Sequence, residues 1–162
     1  MEISRKMPDG KTIFIHERGK WSDLGYHAII TVANDSYIGS SWPNPYKPSN
    51  PKIKLDKYAG AIKAGTYIYQ FSHKAHNGGI GFNLRTLTGI FNGNIPTLNM
   101  NPNQNNQLYA TNVDLHAGDK PNWRGSLACL TINPYYAKDL FEKFVENEQG
   151  LLILKRDFEE VS

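Results

Sequence analysis

The chain has 162 residues, enough for one domain with its own core. A net charge of +3, spread over scattered lysines and arginines, leaves no basic stripe to grip nucleic acid, and no apolar stretch reaches the length of a membrane span. One cysteine excludes an internal disulfide framework and a zinc site built from cysteines, while 12% aromatic residues and many Gly and Asn favour a β-rich domain.

Residues 1–6 and 12–17 flank Pro8-Asp9-Gly10, and two extended runs about such a turn predict a β-hairpin. In the second run Ile13 and Ile15 alternate with Phe14 and His16, which sets His16 on the wetter face. The first ten residues lack the apolar core of a secretory signal. Residues 26–33 (Y-H-A-I-I-T-V-A) predict a buried strand with His27 at its entry. Residues 34–55 carry Pro43, Pro45, Pro48 and Pro51 among polar neighbours and predict a long irregular loop. Loops of that length are usually lids or binding loops. Trp42 and Tyr46 are then expected to wall a cleft; a plain surface connection with its aromatics tucked onto the core is the alternative.

Residues 61–71 read as a turn feeding a strand, with Tyr67, Ile68 and Tyr69 in alternation. His73 and His76 follow at a spacing that would allow a zinc site with His116 as third ligand. No glutamate accompanies the pair, and Asn77-Gly78-Gly79 reads as a flexible turn, so no metal is expected. Residues 79–84 predict another strand, and residues 86–96 hold two more glycine turns. Residues 96–107 (P-T-L-N-M-N-P-N-Q-N-N-Q) are polar and Asn-rich and predict a mobile loop. Residues 108–115 then form a strand that carries the chain into His116.

The stretch V-D-L-H-A-G-D-K-P-N-W-R-G-S-L-A-C-L-T, residues 113–131, holds the chemistry. A free cysteine most often packs as a small hydrophobe. Here an apolar run leads into His116, a loop with Pro, Asn and Gly follows, and a Ser-x-x-Cys turn ends at Cys129. A thiol of pKa about 8.5 is only slightly ionised at neutral pH, so a nucleophilic Cys129 needs a base, and His116 is the best placed in sequence. Residues 130–132 continue as a short strand. Asn133-Pro134 predicts a helix start, with Asn as N-cap and Pro at the first helical position. Tyr136, Leu140, Phe141 and Phe144 give the helix an apolar face, Gly150 ends it, residues 151–154 form a last strand, and the acidic residues 157–160 fray.

His116-Ala117-Gly118, the following loop and the Ser126-x-x-Cys129 turn resemble the catalytic motif of the L,D-transpeptidase (YkuD-type) family, in which His-Gly precedes Ser/Thr-His-Gly-Cys-Arg. One residue is inserted after the histidine, and Leu127, Ala128 and Leu130 stand where that pattern has His, Gly and Arg. Arg124 could supply the missing charge from the other side of the turn. Ala64-Gly65-Thr66 before Tyr67 is similar to the family's Thr-Pro-x-Gly-x-Tyr/Phe segment without its proline. The resemblance covers roughly residues 61–155.

It implies a mainly β (β-rich α+β) fold over residues 1–162, an L,D-transpeptidase-like sandwich with one helix after the catalytic cysteine. It implies Cys129 as nucleophile, His116 as base and Ser126 beside them. Backbone N–H groups of Leu127, Ala128 and Cys129 would meet the oxyanion, and Gly118, Trp123, Arg124, Trp42 and Tyr46 would contact substrate. No cofactor and no metal are expected. The substrate would be a peptidoglycan stem peptide, its acyl group passing to an amine or to water. A phage product or a secreted effector fits the missing signal; it would act at the periplasm or cell wall by a non-classical route, with a delivery apparatus or an immunity protein as partner. Two rivals remain: a non-catalytic wall-binding module gripping glycan or peptide through Trp42, Tyr46 and Trp123, and a different cysteine hydrolase in which Asp114 or Asp119 orients the histidine.

Overall fold

The computed structural model describes residues 7–17, 28–41, 61–101, 104–105, 107–118 and 129–157. They form β1 (Ile13–Glu17), β2 (Ala28–Val32), β3 (Asp35–Ser40), β4 (Gly65–His76), β5 (Gly79–Thr86), β6 (Ile95–Asn101), β7 (Gln107–Ala110), β8 (Asp114–Ala117), β9 (Leu130–Ile132), α1 (Ala137–Phe141) and β10 (Gln149–Arg156). The chain is mainly β with one short helix after Cys129. Hydrogen bonding runs unbroken round the order β1-β10-β4-β5-β8-β9-β3-β2, so the expected sandwich takes the form of a closed barrel, with β6 and β7 as a separate two-stranded sheet. Two neighbouring pairs, β1 with β10 and β8 with β9, are parallel; the rest of the ring is antiparallel. Among the described residues no helix is long and apolar enough to cross a membrane.

Period-two alternation fills the barrel. Ile13, Ile15, Ile30, Val32, Tyr67, Tyr69, Phe71, Phe82, Leu84, Leu115, Leu130, Ile132, Leu152 and Leu154 share one buried cluster. Leu140 and Phe144 join it from α1 and the turn after it, and Phe144 meets Tyr69 and Phe82 edge-on. Phe14 points outward as expected, and His16 bonds Asp157 at 2.6 Å.

Several expectations are corrected by the pairing. Both edges of β1 are taken, by β2 and β10, so no ladder is left for a hairpin partner from residues 1–6, which lie outside the described residues. The long loop expected from residue 34 starts instead with β3, because Ala33 takes a positive φ of 54° and closes a two-residue turn onto β2. The Asn-rich stretch expected to be mobile, residues 96–107, instead holds all of β6 after its first residue and the first residue of β7, with which β6 pairs. Its backbone supplies the ladder while Ile95 and Thr97 face inward. The single strand expected over residues 108–115 breaks at Asn112, which has a positive φ of 55°. Of the six described non-glycine residues with positive φ, five are asparagines, so the Asn abundance serves tight turns.

The helix is also shorter than the sequence led us to expect. Asn133 caps a turn, accepting from the Tyr135 N–H at 3.0 Å, and α1 begins only after Tyr136, which makes no side-chain cap. Asn147 turns the chain with a positive φ of 66°, and Gly150 lies inside β10. There a Cβ would stand 2.6 Å from the Lys11 carbonyl and the Tyr69 hydroxyl, so glycine admits a close approach and does not end a helix.

One buried cation ties the end of β3 to the chain just before β4. Arg156 donates to Ile62 O (2.6 Å), Ser41 O (2.9 Å) and Ser41 Oγ (3.0 Å). Glu17 Oε1 accepts from the Ser41 N–H (2.6 Å) and hydroxyl (2.9 Å). Burial, the largest influence, raises the Glu17 carboxyl above its ordinary range, against the lowering pull of the Ser41 bonds and the Arg156 charge. Arg156→Met should therefore cost about 3–5 kcal/mol, read as a lower urea midpoint at unchanged slope; a loss below about 1 kcal/mol would contradict the clamp. A folded-state carboxyl raised above its unfolded value favours folding most at low pH, and that contribution is lost as pH rises through the folded value. Glu17→Gln should accordingly lose less stability relative to the native chain near neutral pH than near the unfolded-state carboxyl pKa of about 4.3.

Candidate functional site

The site grows out of the parallel pairing of β8 with β9. Leu115 pairs with Leu130 and His116 with Thr131. Both leucines are buried in the core, so alternation turns Asp114, His116, Cys129 and Thr131 to the outer face of the barrel. On the far side of β8 the antiparallel partner β5 sets Gly81 opposite His116 and Asn83 opposite Asp114. The ladder between β4 and β5 is irregular between Ser72 and His76, and His76 closes β4. Three strands and the residue just before β9 thus deliver side chains to one patch: His76, Asn83, Asp114 with His116, and Cys129.

Their contacts form a chain of donors and acceptors. The His116 ring stacks on that of His76, centroids 3.9 Å apart and planes within 5°. His116 Nδ1 lies 2.7 Å from Ala117 O. A carbonyl only accepts, so Nδ1 carries the proton and the lone pair of the neutral ring is on Nε2. His76 Nδ1 lies 2.9 Å from Asp114 Oδ2, and Asn83 Nδ2 donates to Asp114 Oδ1 (2.7 Å) and to Ala75 O (3.0 Å). Burial, above all, raises the Asp114 carboxyl, opposed by the hydrogen bonds from His76 and Asn83 and by the charges of both histidines. The Asp114 backbone N–H points at Cys129 Sγ at 3.4 Å, and Sγ lies 3.8 Å from Asn112 O. One nitrogen of each imidazole and the Cys129 sulfur all lie within 4.8 Å of one another.

Of the residues expected to act, His116 and Cys129 do come together, on neighbouring strands. Gly118 is buried at the end of β8, its N–H donating to Ile132 O at 2.9 Å and so extending the ladder. Ser126, Leu127, Ala128, Trp123, Arg124, Trp42 and Tyr46 lie outside the described residues, as does Asp119. Asp114, weighed as an orienting acid, orients a histidine, but it is His76 and not His116. His73 and His76 do not share a site. His73 pairs with Glu146 at 2.9 Å, and only His76 joins His116. The sequence signal nearest to this patch is Gly81: a glycine inside a strand marks a close approach, here to the Leu115 carbonyl and to the Cβ atoms of His116 and of Ala75, the residue before His76.

No protein-family model, curated protein or solved structure matches the chain, so the chemistry of the patch rests on its own geometry, which is testable at Gly81. A Cβ at this position would stand 2.8 Å from the Leu115 carbonyl and 3.5 Å from His116 Cβ. Backbone cannot retreat cheaply inside a closed barrel. Gly81→Ala should cost about 1–3 kcal/mol and weaken the imidazole-to-imidazole contacts between His76 and His116 in nuclear Overhauser spectra. Unchanged ring contacts would mean that Gly81 does not set the stack.

Proposed function

We propose that the protein is a cysteine-dependent acyltransferase or hydrolase of peptidoglycan stem peptides, of the L,D-transpeptidase or L,D-carboxypeptidase type. The observation that carries this reading is the pairing of Cys129 with a histidine, His116, whose Nδ1–H is fixed on the adjacent Ala117 carbonyl. That bond selects the tautomer able to take a thiol proton at Nε2. The resemblance of residues 113–131 to the L,D-transpeptidase motif supplies the substrate class.

In this reading His116 removes the Cys129 proton, and the Asp114 N–H stabilises the sulfur's negative charge. The thiolate adds to the amide carbonyl carbon, and the oxyanion is met by backbone N–H groups of Leu127, Ala128 and Cys129. Collapse breaks the C–N bond, and the imidazolium returns its proton to the leaving amine. The thioester then passes its acyl group to an acceptor amine or to water, regenerating the thiol. By the resemblance, Ser126 is assigned to the catalytic turn, and Trp42, Tyr46, Gly118, Trp123 and Arg124 are assigned to the peptide-binding surface. The setting of such a reaction is the periplasm or cell wall.

A second base assignment has its own observation. The carboxylate of Asp114 holds His76 as a Cys–His–Asp arrangement would require, and His76 is within the same cluster. Incubation with purified wall fragments, read by mass spectrometry, decides. Cys129→Ala should abolish turnover, and His116→Ala should lower it by at least about 10²-fold, the contribution of a general base. Near-native turnover in Cys129→Ala would sink the cysteine mechanism, and binding of wall fragments by the native chain without turnover would favour the wall-binding module. Near-native turnover in His116→Ala with loss in His76→Gln would move the base to His76.

A further inference from the structure

We infer that His76, His116 and Cys129 form a binding site for one soft divalent cation of the Zn²⁺ type, occupied at the expense of the free thiol. Cation binding does not depend on the acyl-transfer reading; only its consequence for turnover does.

Three observations carry the site. The first is proximity: one nitrogen of each imidazole and the sulfur lie within 4.8 Å of one another. Donors around a tetrahedral zinc stand about 3.3–3.7 Å apart, given bond lengths of about 2.0–2.3 Å. A closure of about 1 Å is therefore needed, together with a tilt of the imidazoles out of their parallel stack. His76 is the donor able to supply it, because it ends β4 at the Asn77-Gly78 turn.

The second observation is the outer layer of hydrogen bonds. Metal-ligating histidines almost always give their other ring N–H to a carboxylate or a backbone carbonyl. Both types are present here: Nδ1 of His76 lies on the Asp114 carboxylate, with Asn83 holding that carboxylate in turn, and Nδ1 of His116 lies on Ala117 O. Each ring thereby keeps its lone pair on Nε2; that of His76 lies 3.4 Å from the Asn77 side-chain amide, which a bound cation would displace. His73 shows the contrast, since its Nδ1 rests on the exposed Glu146 far from any thiol partner.

The third is the donor set. Two imidazoles and one thiolate suit zinc, and suit magnesium or calcium poorly. Three protein ligands leave the fourth position to water. The reaction is balanced by proton release: the Cys129 thiol gives its proton to solvent as the sulfur–metal bond forms. Bound cation holds the sulfur as a metal thiolate, so cation binding and nucleophilic attack exclude each other. The patch then has an off-state set by free metal, reversed by a chelator.

Titration of the whole chain with Co²⁺ tests this, since cobalt reports optically what zinc does not. The expected result is one ion per chain, with a thiolate-to-cobalt charge-transfer band in the near ultraviolet and strong four-coordinate visible bands, all lost on addition of Zn²⁺. Cys129→Ser should abolish the charge-transfer band. His76→Gln, which keeps an N–H for Asp114, and His116→Gln should each weaken binding by at least about tenfold, the loss already seen when only an outer-layer partner is removed. His73→Ala should leave binding unchanged. Stoichiometric Zn²⁺ should also protect Cys129 from alkylation in the native chain. The absence of the charge-transfer band in the native chain, or native affinity in both His76→Gln and His116→Gln, would overturn the site. Because two ligands on two strands are tested, failure of one variant to fold leaves the other to decide.

Discussion

The inward lock of Leu115 and Leu130 is the constraint on which the site depends. The two leucines face each other across a parallel ladder and are sealed in the barrel core, so neither strand can slip by one residue without turning its apolar side chain out. The same register fixes His116 and Cys129 on the opposite face. A parallel pair needs a long crossover, and the twelve-odd residues between β8 and β9 are of the usual length for one. Imidazole and thiol, distant in sequence, are therefore brought together by the two residues between which nothing chemical happens.

Asp114 serves this arrangement twice. Its main-chain N–H reaches the sulfur, while its carboxylate reaches His76. One backbone position thus couples the thiol's environment to the second histidine, and Asn83 fixes the geometry from the neighbouring strand. The burial that raises the carboxyl also makes its hydrogen bonds count for more, because little solvent competes for them.

How far this could be read in the sequence differed by the range of the interaction. The β-rich class, the alternation of Ile13 and Ile15, the strand after Cys129 and the nearness of His116 to Cys129 follow from local pattern and one motif. His76 does not, because nothing in H-K-A-H-N-G-G states that the ladder between β4 and β5 is irregular there. The helix was overread: Asn133-Pro134 has the chemistry of a helix start, yet the side-chain acceptor caps a turn. The Asn-rich stretch was underread for the opposite reason. Polar composition describes which side chains face water, and the backbone ladder of β6 and β7 is indifferent to it. Asparagine's tolerance of positive φ, visible at Asn77, Asn92, Asn105, Asn112 and Asn147, turned an apparent mark of looseness into a set of tight corners.

The Arg156 clamp separates the architecture of the barrel from the length of chain between β3 and β4. By gripping the Ser41 and Ile62 carbonyls with one guanidinium, it makes both ends of the intervening segment part of the rigid scaffold. Closing a loop between fixed ends costs only about 0.6 kcal/mol more for each doubling of its length. Changes in chain length between these anchors should thus be nearly neutral for the barrel, which makes the interval a graftable position: a place where sequence can be exchanged by evolution or by design at little cost to the scaffold.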